Sequence, residues 1–170
     1  SCRAYKADPV SREKLNEIFT VVRNAPSGCN GQPWKFVVVD EADKRAAVAA
    51  CLQDEKVVPT NAFVTEAPVL VVVLETPSIL LPGIAAKYGT QHYAQMDLGL
   101  ATAHLVLAAE DEGIATCITG WFDEDKVKEI LEIPADMKIR MVVAMGYAQD
   151  PTVRRKARKP LSKIVSYNKF

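Results

Sequence analysis

Ala94 to Ala109 holds eleven apolar residues in sixteen positions, alanines included, and they run all round a helical cylinder. Met96, Leu100 and Leu107 fall on one side, Leu98, Leu105 and Ala109 on another. A helix that is apolar on every side has to be covered on every side. A chain of 170 residues and 18.6 kDa builds one core and seldom wraps a helix completely. Part of this surface is therefore expected in an interface between subunits. The uncharged stretch from Leu98 to Ala109 is twelve residues between Asp97 and Glu110, well short of the roughly 20 needed to cross a bilayer. No membrane span is expected, and no basic-then-apolar leader opens the chain.

The other segments alternate in type. Ser11 is placed to cap a helix carrying Leu15, Ile18, Phe19 and Val22 at helical spacing, with Glu13 in its first turn and Asn24-Ala25-Pro26 marking its end. Lys35 to Val39 reads as a buried strand, 42–52 as a short alanine-rich helix, and Val69 to Leu74 as a second apolar strand. Residues 76–93, interrupted by Pro77, Pro82, Gly83 and Gly89, read either as a long lid or binding loop or as a partly helical crossing. Gly113 suits the C′ position after the apolar helix. Asp123 suits the cap of a helix through Val127, Ile130 and Leu131, and Arg140 to Tyr147 reads as a third strand. Helices covering a sheet in this order make an α/β or α+β layered domain, one unit over 1–170 with 151–170 as a basic extension.

Charge is distributed unevenly. The chain has 21 basic and 21 acidic residues, yet residues 154–170 carry seven basic residues (Arg154, Arg155, Lys156, Arg158, Lys159, Lys163 and Lys169) and no acid. Residues 1–153 therefore hold 14 basic against 21 acidic, an acidic body of −7 with a tail of +7. Overall neutrality argues against a general nucleic-acid binder. The cysteines Cys2, Cys29, Cys51 and Cys117 form no C-x-x-C pair, which favours free thiols in a reducing, cytoplasmic setting.

Several chemistries lack their residues. Neither common phosphate-loop pattern is present. His92 and His104 are the only histidines, no H-E-x-x-H occurs, and His104 reads as a hydrogen-bonded core histidine, so no metal site is expected. No nucleophile elbow surrounds any serine or cysteine. What remains are three polar clusters: Ser1-Cys2-Arg3, the turn from Ala25 to Trp34, and Arg154 to Pro160. Singly they read as a frayed end, a helix-to-strand turn with Trp34 as core anchor, and a solvated charge run. Together they suit a planar ligand bearing a phosphate, with cations for the phosphate and amides for a heteroaromatic edge.

The ordered set resembles the nitroreductase family of FMN-dependent oxidoreductases. It comprises Ser1-x-Arg3, Ala25-Pro26-Ser27-Gly28-Cys29-Asn30-Gly31-Gln32-Pro33-Trp34, Asp97-Leu98-Gly99-Leu100-Ala101 leading into Leu107 to Gly113, Thr119-Gly120-Trp121-Phe122, and Lys156-x-Arg158-x-Pro160-Leu161. The resemblance implies an α+β, three-layer α/β/α fold with a mostly antiparallel sheet, an intertwined homodimer, FMN at the interface, and two-electron ping-pong turnover driven by NAD(P)H. It implies that Ser1, Lys156 and Arg158 hold the FMN phosphate, and that Arg3 lies beside flavin N1 and O2, where a cation favours the charge of the reduced ring. Pro26, Ser27, Gly28 and Asn30 match a turn that reaches the partner's flavin, with Gln32 bracing it. Thr119 and Gly120 match backbone positions near N5, and Asn61 falls near an amide for the pyrimidine end.

The pattern departs in places. Relatives carry basic residues just before the matching serine, whereas this sequence opens at Ser1. Position 28 is glycine where many relatives have serine, and Cys29 is expected as a small buried thiol. No side chain stands out as a catalytic proton donor. The expected activity is reduction of nitroaromatics, quinones or similar planar acceptors. The alternatives are another redox reaction on the same flavin scaffold, such as dehydrogenation or reductive dehalogenation, and a non-enzymatic module binding an acidic partner through its tail.

Overall fold

Six consecutive apolar residues, Val69 to Leu74, are all buried in strand β2 (Val69–Glu75). A strand that hides both faces needs a layer on each side, and the topology supplies them. The computed structural model describes residues 1–54, 59–77, 81–88, 93–150, 152–153 and 155–170. Among these, β1 (Trp34–Val39), β2, β3 (Ala115–Thr119) and β4 (Lys138–Gly146) form one sheet of order β1-β2-β4-β3. All three pairings are antiparallel. Leu70, Val72 and Leu74 face α2 (Ala42–Cys51) and α5 (Glu124–Leu131). Val69, Val71 and Val73 face α1 (Arg12–Val22) and α4 (Ala94–Asp111). The result is the expected three-layer α/β/α arrangement of the α+β class.

The helix ends follow their local chemistry. Ser11 Oγ accepts from the Lys14 amide at 3.2 Å and opens α1. Asp123 Oδ1 accepts from the Lys126 amide and opens α5. Gly113, at φ 71°, closes α4: its amide donates to Glu110 O at 3.0 Å and that of Ile114 to Ala109 O at 2.7 Å, the paired bonds of a Schellman cap.

Three expectations are corrected, and one segment falls on the partly helical alternative read for it. β1 is an edge strand, half-buried except for exposed Lys35 and buried Val39, because only β2 pairs with it. The sequence predicts three strands and not β3, which is five residues long, on the opposite edge, with Ile118 on it 48% exposed. Within 76–93 lies a short helix, α3 (Pro82–Tyr88); residues 78–80 and 89–92, including His92, fall outside the described residues. His104 is half-exposed rather than a core histidine, with Nδ1 2.8 Å from Leu100 O.

The apolar helix divides in two. On its inner side Leu98, Ala101, Leu105 and Ala109 have no exposed surface. On its outer side Met96 is 58% exposed, Leu100 44% and Leu107 70%. No helix among the described residues is long and apolar enough to cross a membrane.

Candidate cofactor site

The first residues are tied down, not frayed. The Cys2 amide donates to Thr116 O on β3 at 2.8 Å, the Lys6 amide to Tyr147 O at 2.9 Å, and the Gln149 amide to Ala4 O at 3.0 Å. Tyr5 Oη donates to Cys2 O at 3.1 Å and Ala144 O at 3.2 Å. Burial pushes the Tyr5 phenol far above its ordinary value, and the Cys2 and Cys117 thiols add to that, so the donor proton stays in place. Ser1 to Arg3 is thereby laid along the outer edge of β3.

That placement brings Ser1 and Lys156 into one cleft of about 340 Å³, walled by Cys2, Thr116 and Thr152 and by the carboxylates Glu110 and Asp150. Asp150 is held below the usual carboxylate range by hydrogen bonds from the Thr152 hydroxyl and amide. Among the described tail residues Lys156 alone is half-buried, the rest being exposed. Arg158 lies outside the cleft, its guanidinium donating to Ala157 O at 2.8 Å; Arg154 is outside the described residues. Arg3 lies over the Phe63 ring, 5.7 Å from its centroid, a cation–π contact. Phe63 belongs to the 3-10 segment Pro59–Thr65 that also carries Asn61, whose amide donates to Leu52 O at 3.0 Å and ties that segment to the end of α2.

The turn after α1 is a compact unit. Ser27 Oγ accepts from the Gln32 amide at 3.0 Å, the Gly31 amide donates to Gly28 O at 2.9 Å, and Gln32 Nε2 donates to Asn30 Oδ1 at 3.2 Å. Cys29, Asn30 and Gln32 sit at φ 53°, 54° and 43°. Pro26, Gly28, Asn30 and Gln32 are exposed, and so is Cys29, against the expectation of a buried thiol: its left-handed backbone turns the side chain off the body. Trp34 is half-buried against the α1/α4 core. Thr119 is buried at the end of β3, opposite Val142 in the ladder and with Oγ1 donating to Val142 O at 2.8 Å, and Gly120 after it is exposed.

Two contributors were missed by the sequence reading as site residues. Phe63 gave no signal of its own. Asp97, only 7% exposed, accepts the Gly28 amide on both oxygens, at 3.2 and 3.1 Å. Its signal is a carboxylate on the buried stripe that continues through Ala101, Leu105 and Ala108. Asp97 and Glu110 mark the two polar clusters on one helix: the turn sits at the start of α4, the Ser1/Lys156 cleft at its end. Thirteen residues at 1.5 Å each separate them by about 20 Å.

Residues 1–147 match the model of the nitroreductase family. The chain belongs to the nitroreductase family. Among its relatives is an iodotyrosine deiodinase of Thermotoga neapolitana, 26% identical over 99% of this chain and 92% of that protein. Another is an NADH dehydrogenase of Thermus thermophilus, 30% identical over 97% of this chain and 90% of its own length. The solved structure of an FMN-dependent nitroreductase from Clostridium difficile superposes with a TM-score of 0.76, covering 100% of this chain and 95% of that one at 23% identity. Membership makes this nitroreductase an oxidoreductase and sets aside the non-enzymatic reading.

Proposed function

We propose that this chain is an FMN-dependent homodimeric oxidoreductase that takes electrons from NADH or NADPH and passes them, two at a time, to nitroaromatics, quinones or related planar acceptors. One observation carries the reading. The two polar half-sites lie at opposite ends of an α4 whose outer side, between them, is a bare apolar stripe at spacings of four, three and four: Met96, Leu100, Ala103 and Leu107. One mononucleotide does not span that helix, but a second copy packed against the stripe brings its own turn toward the first copy's cleft. Exposed Ile118, on the sheet face that α4 covers, continues the apolar surface.

The donors fit the cofactor. Ser1 offers a hydroxyl and Lys156 a partly desolvated cation to a phosphate, while Glu110 and Asp150 on the same cleft oppose it, so the tail's cations have to outweigh them. Arg158 is on the same irregular segment, two residues on. Arg3, laid flat by Phe63, presents a fixed positive charge, and Asn61 on the same segment an amide, to the pyrimidine end. The partner's turn contributes Pro26, Ser27, Gly28 and Asn30, braced by Gln32, and Thr119 and Gly120 offer backbone groups. FMN, when bound, supplies acceptance and delivery of a hydride equivalent. The chain's own groups would hold its phosphate and favour negative charge at its pyrimidine edge, and with no side chain placed as proton donor among them the product's proton would come from water. Residues 1–170 form a single unit in this reading, with 151–170 as the basic extension. Four free thiols suit the reducing cytoplasm.

The Thermus relative, an NADH dehydrogenase, supports the nicotinamide donor, and the FMN-dependent Clostridium nitroreductase supports FMN. The Thermotoga relative favours a second reading, reductive dehalogenation on the same scaffold. Purified protein reconstituted with FMN is expected to be yellow and to bleach with NADH or NADPH. A colourless product after reconstitution overturns the reading. Turnover of the reduced enzyme on nitroaromatics, quinones and halophenols then separates the two reactions.

A further inference from the structure

The turn from Ser27 to Gln32 is held in an uncommon shape. Three non-glycine residues within four positions occupy the left-handed region, which persists only where the surroundings fix it. The bonds from Gln32 to Ser27 and from Gly31 to Gly28 keep the turn's shape, but they move with it as a unit. Its tie to the helix layer is the Gly28 amide on the Asp97 carboxylate. A Cβ at Gly28 would lie 3.4 Å from Tyr93 Cβ and 3.6 Å from Asp97 Oδ2, so the turn is pressed against the first turn of α4 at this point. A buried carboxylate in an apolar helix is costly to keep, and here it stands on the stripe that ends in the core. It is also acceptor-only, so it cannot rotate to present a donor and lose the amide.

We infer that Asp97 is a positioning residue for the cofactor site of the opposite subunit: it fixes the Ser27–Gln32 turn to α4, the helix whose outer side forms the dimer contact, and so sets where that turn stands across the interface. The inference rests on the proposed FMN site and homodimer. Asp97 touches neither cofactor nor acceptor; it acts through the Gly28 peptide. Because each site joins the cleft of one subunit to the turn of the other, damage at Asp97 and damage at Lys156 fall on different partners of the same site.

Subunit mixing tests this. Asp97→Ala and Lys156→Ala chains carrying different affinity tags are co-expressed, mixed dimers are isolated through both tags, and binding of FMN alone is followed by quenching of flavin fluorescence. Asp97→Ala homodimers are expected to bind FMN about tenfold more weakly than wild type, the size of one charge-assisted hydrogen bond. Asp97→Asn, which keeps a carbonyl acceptor and the volume, is expected to weaken binding by about threefold, and is the variant to read if the alanine chain does not fold. Mixed dimers are expected to recover half of the sites at wild-type affinity, since one site then contains neither change. A merely structural defect in α4 is carried into the mixed dimer and gives no such recovery, which overturns the inference. Wild-type affinity in both Asp97 variants overturns it too. If wild type itself binds no FMN, the cofactor reading falls and the inference with it. If Lys156→Ala alone binds normally, the phosphate assignment falls and Arg3→Ala replaces it as the cleft-side change in the mixed dimer, with the same recovery expected and its absence overturning the inference.

Discussion

The two sides of α4 have the same kind of residue and opposite fates. Leu98 and Leu105 are sealed between the sheet and α1, while Leu100 and Leu107, two positions along in each case, face outward. The inner pair stabilises the chain as a monomer; the outer pair stabilises nothing until something covers it. Leucine content alone therefore says how much surface a helix wants hidden, and only the arrangement of its neighbours says how much one chain can hide.

The contrast can be broken in three places. Leu105→Ala should cost about 2–5 kcal/mol of folding stability, whatever the oligomeric state, because it leaves a cavity between packed layers; a denaturant midpoint near that of wild type would mean that the inner side is not the core. Leu100→Glu combined with Leu107→Glu should leave the fold intact and raise the dimer dissociation constant at least about a hundredfold, from roughly 1.5 kcal/mol of apolar burial lost at each position. Sedimentation at micromolar concentration measures it, and an unchanged dimer would move the interface off α4. The smallest effect belongs to Thr102, which is buried and whose hydroxyl has no hydrogen-bond partner among the described residues. Thr102→Val should be neutral or stabilising by up to about 1 kcal/mol in thermal unfolding. A clear loss of stability would show that the hydroxyl has a partner inside the fold.

Much of the fold was legible because its signals are local. Ser11, Asp123 and Gly113 act on backbone groups within a turn of themselves, and Val69 to Leu74 is apolar enough to specify a central strand unaided. β3 was not legible: five residues with an outward isoleucine owe their strand state to the β4 ladder. β1 was legible as a strand but not as an edge, since burial there depends on which strands flank it. In the site, motif spacing picked out the turn and the tail. It did not reveal that Asp97 holds the turn, nor that Arg3 is steadied by Phe63, because both contacts join residues about 60 or more positions apart and neither residue type demands the other. Cys29 was misjudged for a related reason: thiols are commonly buried, but a left-handed turn decides otherwise.

The tie between the chain's opening and its close has a bearing on timing. Ala4, Tyr5 and Lys6 bond to residues 147–149, and the cleft at Ser1 is finished by Lys156. During synthesis residues 1–6 thus wait for residues 147–156 before either has its neighbours. The central strands can pair earlier, but the cleft proposed for the phosphate closes only once residue 156 has been made, so a nascent chain stopped short of it lacks that wall.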